Sequence, residues 1–125
     1  MKLAREDGAT VARLELADRF FSRLRGLMLR PGLAPDAGLW IEPCSSIHMM
    51  FVRFPIDVVF VRRAPGPLAG GAQAEVLAVR ERVRPWLGTA WCRGATSALE
   101  LPAGRAQELG LAAGDRLSLV EEVAA

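Results

Sequence analysis

The sequence predicts a small, mainly β domain, a barrel or sandwich with one or two short helices. Three observations lead there. The apolar runs are short and rich in Val, Ile and Leu. Turn residues interrupt them often, with 12 Gly and 8 Pro in 125 residues. Only two stretches carry helical spacing, and both are brief.

Residues 10–16 (Thr-Val-Ala-Arg-Leu-Glu-Leu) alternate apolar and polar side chains and read as a half-exposed opening strand. From Asp18 the spacing changes. Phe20, Phe21, Leu24, Leu27 and Met28 form a helical stripe opposite Arg19, Arg23 and Arg25, with Asp18 as N-cap and Pro31-Gly32 as the stop. A turn-rich stretch then leads to Leu39-Trp40-Ile41, a brief strand ended by Pro43. Ile47–Phe54 and Ile56–Val61, separated by Pro55, are apolar at both parities, as expected of central strands covered on both faces.

Residues 62–71 have the composition of a surface loop. Glu75–Val83 resumes a strand pattern, and Pro85-Trp86-Leu87-Gly88 marks a turn. Ser97–Pro102 reads as an edge or terminal strand. A helix follows from about Gly104 to Leu109 with Gly110 as its left-handed cap, and Gly114-Asp115 turns into a last strand, Arg116–Val120. No linker or repeat divides the chain, so residues 1–125 are read as one domain.

Composition bounds the function. The chain is 51% hydrophobic and 24% charged, enough apolar content to build a core unaided. The net charge of +2, from 16 basic and 14 acidic residues, does not predict nucleic acid as a partner. Cys44 and Cys92 are too few for a disulfide framework, and whether they pair stays open. The N-terminus lacks the apolar core of a signal peptide, and no run reaches the length of a membrane span. A soluble, cytoplasmic protein is the expectation, or an exported one if a leader has been trimmed.

Four segments, in order, carry a family resemblance: Arg25-Gly26-Leu27-Met28; the long block from Pro43-Cys44-Ser45-Ser46-Ile47-His48 to Ile56-Asp57-Val58-Val59-Phe60; Pro85-Trp86; and residues 99–104 with 109–115. Together they resemble the DUF192 (UPF0127) family over about residues 14–119. The resemblance implies a small β-rich domain. It supplies no catalytic residue, because the family's biochemical role is undetermined.

Cys44, His48, Arg53 and Asp57 are the one close gathering of a thiol, the sole imidazole and a potential ion pair. A thiol beside an imidazole can form a nucleophile, yet four residues of extended chain span about 13 Å, so a bend is required. The plainer reading makes Cys44 and His48 packing residues. Arg53 and Asp57 share parity on an apolar face and are expected to pair across Pro55; otherwise Arg53 faces a ligand. A metal site from Cys44, His48, Asp57 and Cys92 lacks paired ligand spacing, and no cofactor is predicted. Glu100 stands alone and by itself makes no active site.

The sequence therefore favours a non-enzymatic module binding a small anionic or carbohydrate ligand, or a peptide, with Trp40, Arg53, Asp57 and Trp86 as candidate contacts. The alternatives are a thiol-dependent, hydrolase-like enzyme using Cys44 and His48, and an RNA-associated protein using the Arg19–Arg30 face. No protein partner is named by any motif.

Overall fold

The first strand is one that the sequence pattern did not announce. In a computed structural model, which describes residues 1–122, Lys2–Arg5 forms β1 and folds back on β2 (Thr10–Ala17) through a turn. In that turn the Asp7 carboxylate accepts the Ala9 N–H at 3.0 Å. β1 also pairs with β9 (Arg116–Val120), and this double pairing closes the sheet. The remaining barrel strands are β3 (Ala37–Ile41), β5 (Ile56–Arg63), β6 (Gln73–Val83) and β8 (Ser97–Pro102). Around the barrel the order is β1-β2-β3-β8-β5-β6-β9, and a separate ribbon pairs β4 (Ser46–His48) with β7 (Thr89–Trp91). Of the two architectures expected, the chain adopts the barrel.

Side-chain parity divides the core in two. Leu3, Val11, Trp40, Val59, Val61, Val76, Leu99, Leu101, Leu117 and Leu119, drawn from all seven barrel strands, pack together inside. The other parity of β3, β5 and β8 presents Leu39, Ile41, Ile56, Val58, Phe60 and Ala98 outward, where they meet Leu27, Ile47, Met49, Val52 and Ala90 in a second cluster. Strands buried on both faces read as continuous apolar runs, which is why the residues of β5 down to Val61 show no alternation.

Connectivity supplies the second layer. β2 and β3 are neighbours but parallel, so the chain must cross over between them, and residues 18–36 do so across the outer face. Within this crossover α1 spans only Phe20–Arg25. Asp18 is not its cap: Arg19 holds that position, and the Ser22 hydroxyl accepts the Arg19 N–H and donates to the Arg19 carbonyl. The helix ends at Gly26 (φ 47°) rather than at Pro31, so Leu27 and Met28 sit in a turn. The side chains of Phe20, Phe21 and Leu24, part of the expected stripe, lie outside the described residues. Gly38 permits close approach of β3 to its neighbours: a Cβ there would lie 2.9 Å from that of Ala12 and 3.1 Å from Leu101.

Two further expectations are corrected. The run Ile47–Phe54 is not a central strand. Only Ser46–His48 is extended; the chain then turns, with the Val52 N–H on the Met49 carbonyl at 2.9 Å and Phe51 at φ 63°. Its apolar content serves a turn that buries Met49 and Val52 and exposes Met50 and Phe51. Nor is β8 an edge strand: it lies between β3 and β5, and Pro102 falls at its last residue. The helix α2 (Arg105–Leu109), its left-handed cap Gly110 and the strand β9 lie where the sequence puts them.

Candidate functional site

The crossover and the barrel do not close completely on one another. Between them lies a cleft of about 710 Å³, walled by Arg23 and residues 25–28 of the crossover, residues 42–48 from the end of β3 through β4, and residues 63–65 and 95–96. This volume lies within the range of small-ligand sites. Leu27, Met28, Ile41, Ile47 and Val52 give it apolar walls, and Arg23 and Arg25 are the basic residues of the crossover that line it.

Glu100 lines the cleft from β8, with Leu39 and Val58 opposite it on the flanking strands. It is 6% exposed, and among the described residues its Oε2 is a buried side-chain oxygen without a hydrogen-bond partner. Burial pushes its carboxyl pKa up to about 7, although Arg30 pulls the other way. A carboxyl in that range exchanges its proton near neutral pH and can either donate or accept.

Glu42, also in the wall, is the opposite kind of carboxylate. Arg63 donates to both its oxygens, the Ser97 hydroxyl donates to Oε1, and the Trp40 indole approaches at 3.4 Å. Burial works to raise its pKa, but these partners hold it below the ordinary carboxylate range. The Arg63 guanidinium also donates to the carbonyls of Ala64, Gly66 and Pro67, so it is spent on structure.

Cys44 and His48 both line the cleft, so the bend required of residues 44–48 brings them to one site. Cys44 and Cys92 are free thiols. The Cys44 thiol donates to the Ser46 carbonyl at 3.1 Å, and burial, reinforced by the charge on Glu100, pushes its pKa up. A thiol held protonated is a poor nucleophile.

The other candidates are dispersed. Trp40 is wholly buried inside the barrel and has no surface to offer a ligand. Arg53 is exposed, and the expected Arg53–Asp57 ion pair is absent among the described residues. Asp57 points inward and is saturated by backbone: it accepts the N–H groups of Arg82 at 2.9 Å, Gly104 at 3.0 Å and Ala106 at 2.9 Å. Pro55 ends the parity on which the pairing was argued, because the chain before it is a turn. Trp86 lies outside the cleft, its ring edge-on to Phe51. No group of His, Cys, Asp and Glu suited to a metal occurs among the described residues. No helix among them is long and apolar enough to cross a membrane.

The sequence offers Glu100 as a residue that alone could face a cleft, without making it a site, and does not single out Glu42 or Arg63. For Glu100 a signal was present: an acidic residue inside the run Ser97–Leu101, whose strand has no polar face to put it on.

Comparison with known proteins agrees with this architecture. A crystal structure from Sinorhizobium meliloti 1021, of a protein provisionally described as a transcription regulator, superimposes with a TM-score of 0.75 at 27% identity. The match covers 94% of this chain and 89% of that one. A protein of unknown function from Novosphingobium aromaticivorans DSM 12444 has the same fold, with a TM-score of 0.74 at 24% identity over 94% of this chain and 82% of that one. A UPF0127 protein of Thermococcus sibiricus is 34% identical over 110 residues, 84% of this chain and 64% of that relative's length. The DUF192 family model, described as an uncharacterized ACR, matches residues 2–119, and the chain belongs to that family.

Proposed function

We propose that the chain is a binding module that holds a small hydroxylated anion, such as a sugar acid or hydroxycarboxylate, in the cleft above Glu100. The observation that carries this reading is the orphaned oxygen of Glu100 in a cavity of ligand size. A buried polar atom without a partner is unfavourable by about 1–3 kcal/mol, and a ligand hydroxyl that satisfies it returns that energy on binding. Arg23 and Arg25 complement the anionic end, while Leu27, Ile41 and Ile47 cover the carbon skeleton. The protonated state of Cys44 supports binding over thiol chemistry in the same cleft.

The test is a thermal-shift series with sugar acids, hydroxycarboxylates, neutral sugars and inorganic phosphate on the wild type, Glu100→Gln, Arg25→Ala and Arg53→Ala. A ligand at 100 times its dissociation constant stabilises by about 2.7 kcal/mol, worth a few degrees in a domain of this size. The shift should shrink in Arg25→Ala and Glu100→Gln and persist in Arg53→Ala, which alters a side chain outside the cleft. A flat series, or a shift abolished by Arg53→Ala alone, rejects the reading.

A further inference from the structure

Three turns meet beside the β4–β7 ribbon: residues 26–30, 49–52 and 85–88. Backbone hydrogen bonds join each to the next. The Leu29 N–H donates to the Phe51 carbonyl at 2.8 Å, and the Trp86 N–H donates to the carbonyls of Met49 at 3.1 Å and Val52 at 3.2 Å. The Met49 N–H donates to the Gly88 carbonyl at 2.9 Å, and the Phe51 and Trp86 rings meet edge to face with centroids 5.6 Å apart. From this platform Leu29 and Leu87 project 70% and 77% exposed, and Met50, Phe51 and Trp86 about half exposed.

The backbone beneath these side chains is held against its preference. Leu29, Phe51 and Trp86 have φ of 64°, 63° and 64°, the left-handed region that large side chains avoid. Apart from the Phe51–Trp86 ring contact, exposed apolar side chains on a strained, cross-braced backbone gain little within the chain itself; such an arrangement is explained by a surface that covers it.

Charge identifies that surface. Residues 19–35, 43–56 and 83–99, which contain the three turns and their flanks, hold seven arginines and none of the 14 acidic residues, although the whole chain is nearly balanced at +2; Arg30 among them is paired with Glu15, and Arg23 and Arg25 line the cleft. Of the arginines, Arg53 and Arg84 directly flank two of the turns and are exposed. We infer that the platform docks on an anionic lipid surface. Leu29, Met50, Phe51, Trp86 and Leu87 enter the interface, and Arg53 and Arg84 lie among the headgroup phosphates. Apolar side chains at turn tips enter lipid without needing a shaped groove, and Trp with Arg suits the headgroup boundary. Nucleic acid would use the arginines and the rings but would leave Leu29, Met50 and Leu87 in water. The inference is independent of the cleft ligand.

The test is cosedimentation with vesicles of phosphatidylcholine alone and of equal parts phosphatidylcholine and phosphatidylglycerol. The protein should sediment with the mixed vesicles, and at least about tenfold less with phosphatidylcholine alone, since each arginine near an anionic surface contributes about 1 kcal/mol. The double variant Trp86→Ser, Leu87→Ser should lose binding while keeping the wild-type melting temperature within a few degrees, because Leu87 is largely exposed and Trp86, half exposed, gives up only its contact with Phe51. Arg53→Gln with Arg84→Gln should weaken binding and reduce its sensitivity to salt. No sedimentation with the mixed vesicles, or undiminished sedimentation of the Trp86→Ser, Leu87→Ser protein, overturns the inference. So does tighter binding to a single-stranded RNA that the double variant retains, or a dimer in solution that Leu87→Ser dissociates.

Discussion

Asp57 on β5 and Glu100 on β8 lie on adjacent strands, one turned into the barrel and the other outward beneath the crossover. Both are buried. Asp57 receives three backbone N–H groups and ties together three elements: β5, the end of β6 at Arg82 (φ 52°), and the start of α2. Two residues of β6, Glu81 and Arg82, stand opposite this one, so Asp57 also pins a bulge. Glu100 is left with an oxygen that no group among the described residues satisfies, beside a cavity. Burial of a charge does not mark a functional residue; burial without a partner does.

The largest expected effect tests the structural half of this contrast. Asp57→Ala leaves three N–H groups without their acceptor at the junction of β5, β6 and α2, and should destabilise the protein by about 3–5 kcal/mol. Urea denaturation measures this directly. A loss below about 1 kcal/mol would mean that water or another acceptor replaces the carboxylate, and the saturated-carboxylate account would fail.

Glu100→Gln should act in the opposite sense, and only at the right pH. The carboxyl pKa in the folded protein, about 7, lies above the ordinary value of 4.5. Between these values the native state holds a proton that the unfolded chain releases, so stability falls as pH rises from about 4.5 to about 7 and stays low above that. The full difference corresponds to about 3 kcal/mol. A neutral glutamine avoids the penalty, so the variant should exceed the wild type by about 2–3 kcal/mol at pH 8 and match it near pH 4. Equal stability differences at the two pH values would show that Glu100 is not held in an unfavourable charged state. The same substitution weakens ligand binding in the proposed function, which would make Glu100 a position where stability has been yielded to binding.

This contrast was not legible in the sequence, although much of the fold was. β2, β3, β6, β8, β9 and α2 declare themselves through local pattern, with turns where Gly and Pro predict them. β1 and β7 are three or four residues long, and β1 begins at Lys2 and ends at Arg5 with only Leu3 and Ala4 between them, so neither makes a periodic signal; yet β1 closes the barrel. Closure is a non-local pairing, and short-range pattern leaves barrel and sandwich equivalent. The block at residues 43–57 was the right region for the wrong reason. It contributes Cys44 and His48 to the cleft, but its acidic residue is structural and Arg53 is elsewhere. Whether a carboxylate is satisfied depends on N–H groups far along the chain, at Arg82, Gly104 and Ala106 for Asp57, and no spacing around residue 57 announces them.

The smallest effect gives the finest test. Arg30 makes a bidentate pair with Glu15, at 2.7 and 2.8 Å, and is the cation that draws the Glu100 pKa downward. Because Glu15 is more than half exposed, losing the pair in Arg30→Gln should lower stability by only about 0.2–1 kcal/mol. The variant has a second consequence that a surface ion pair alone would not produce. Without Arg30 the Glu100 carboxyl titrates at higher pH, so the decline in stability extends further above neutrality. In a Glu100→Gln background the same substitution should leave only the small, pH-independent loss from Glu15. A double-mutant cycle followed by denaturation from pH 5 to pH 9 separates the two contributions. If the cycle shows no pH-dependent coupling, Arg30 does not act on Glu100, and the carboxyl owes its state to burial alone.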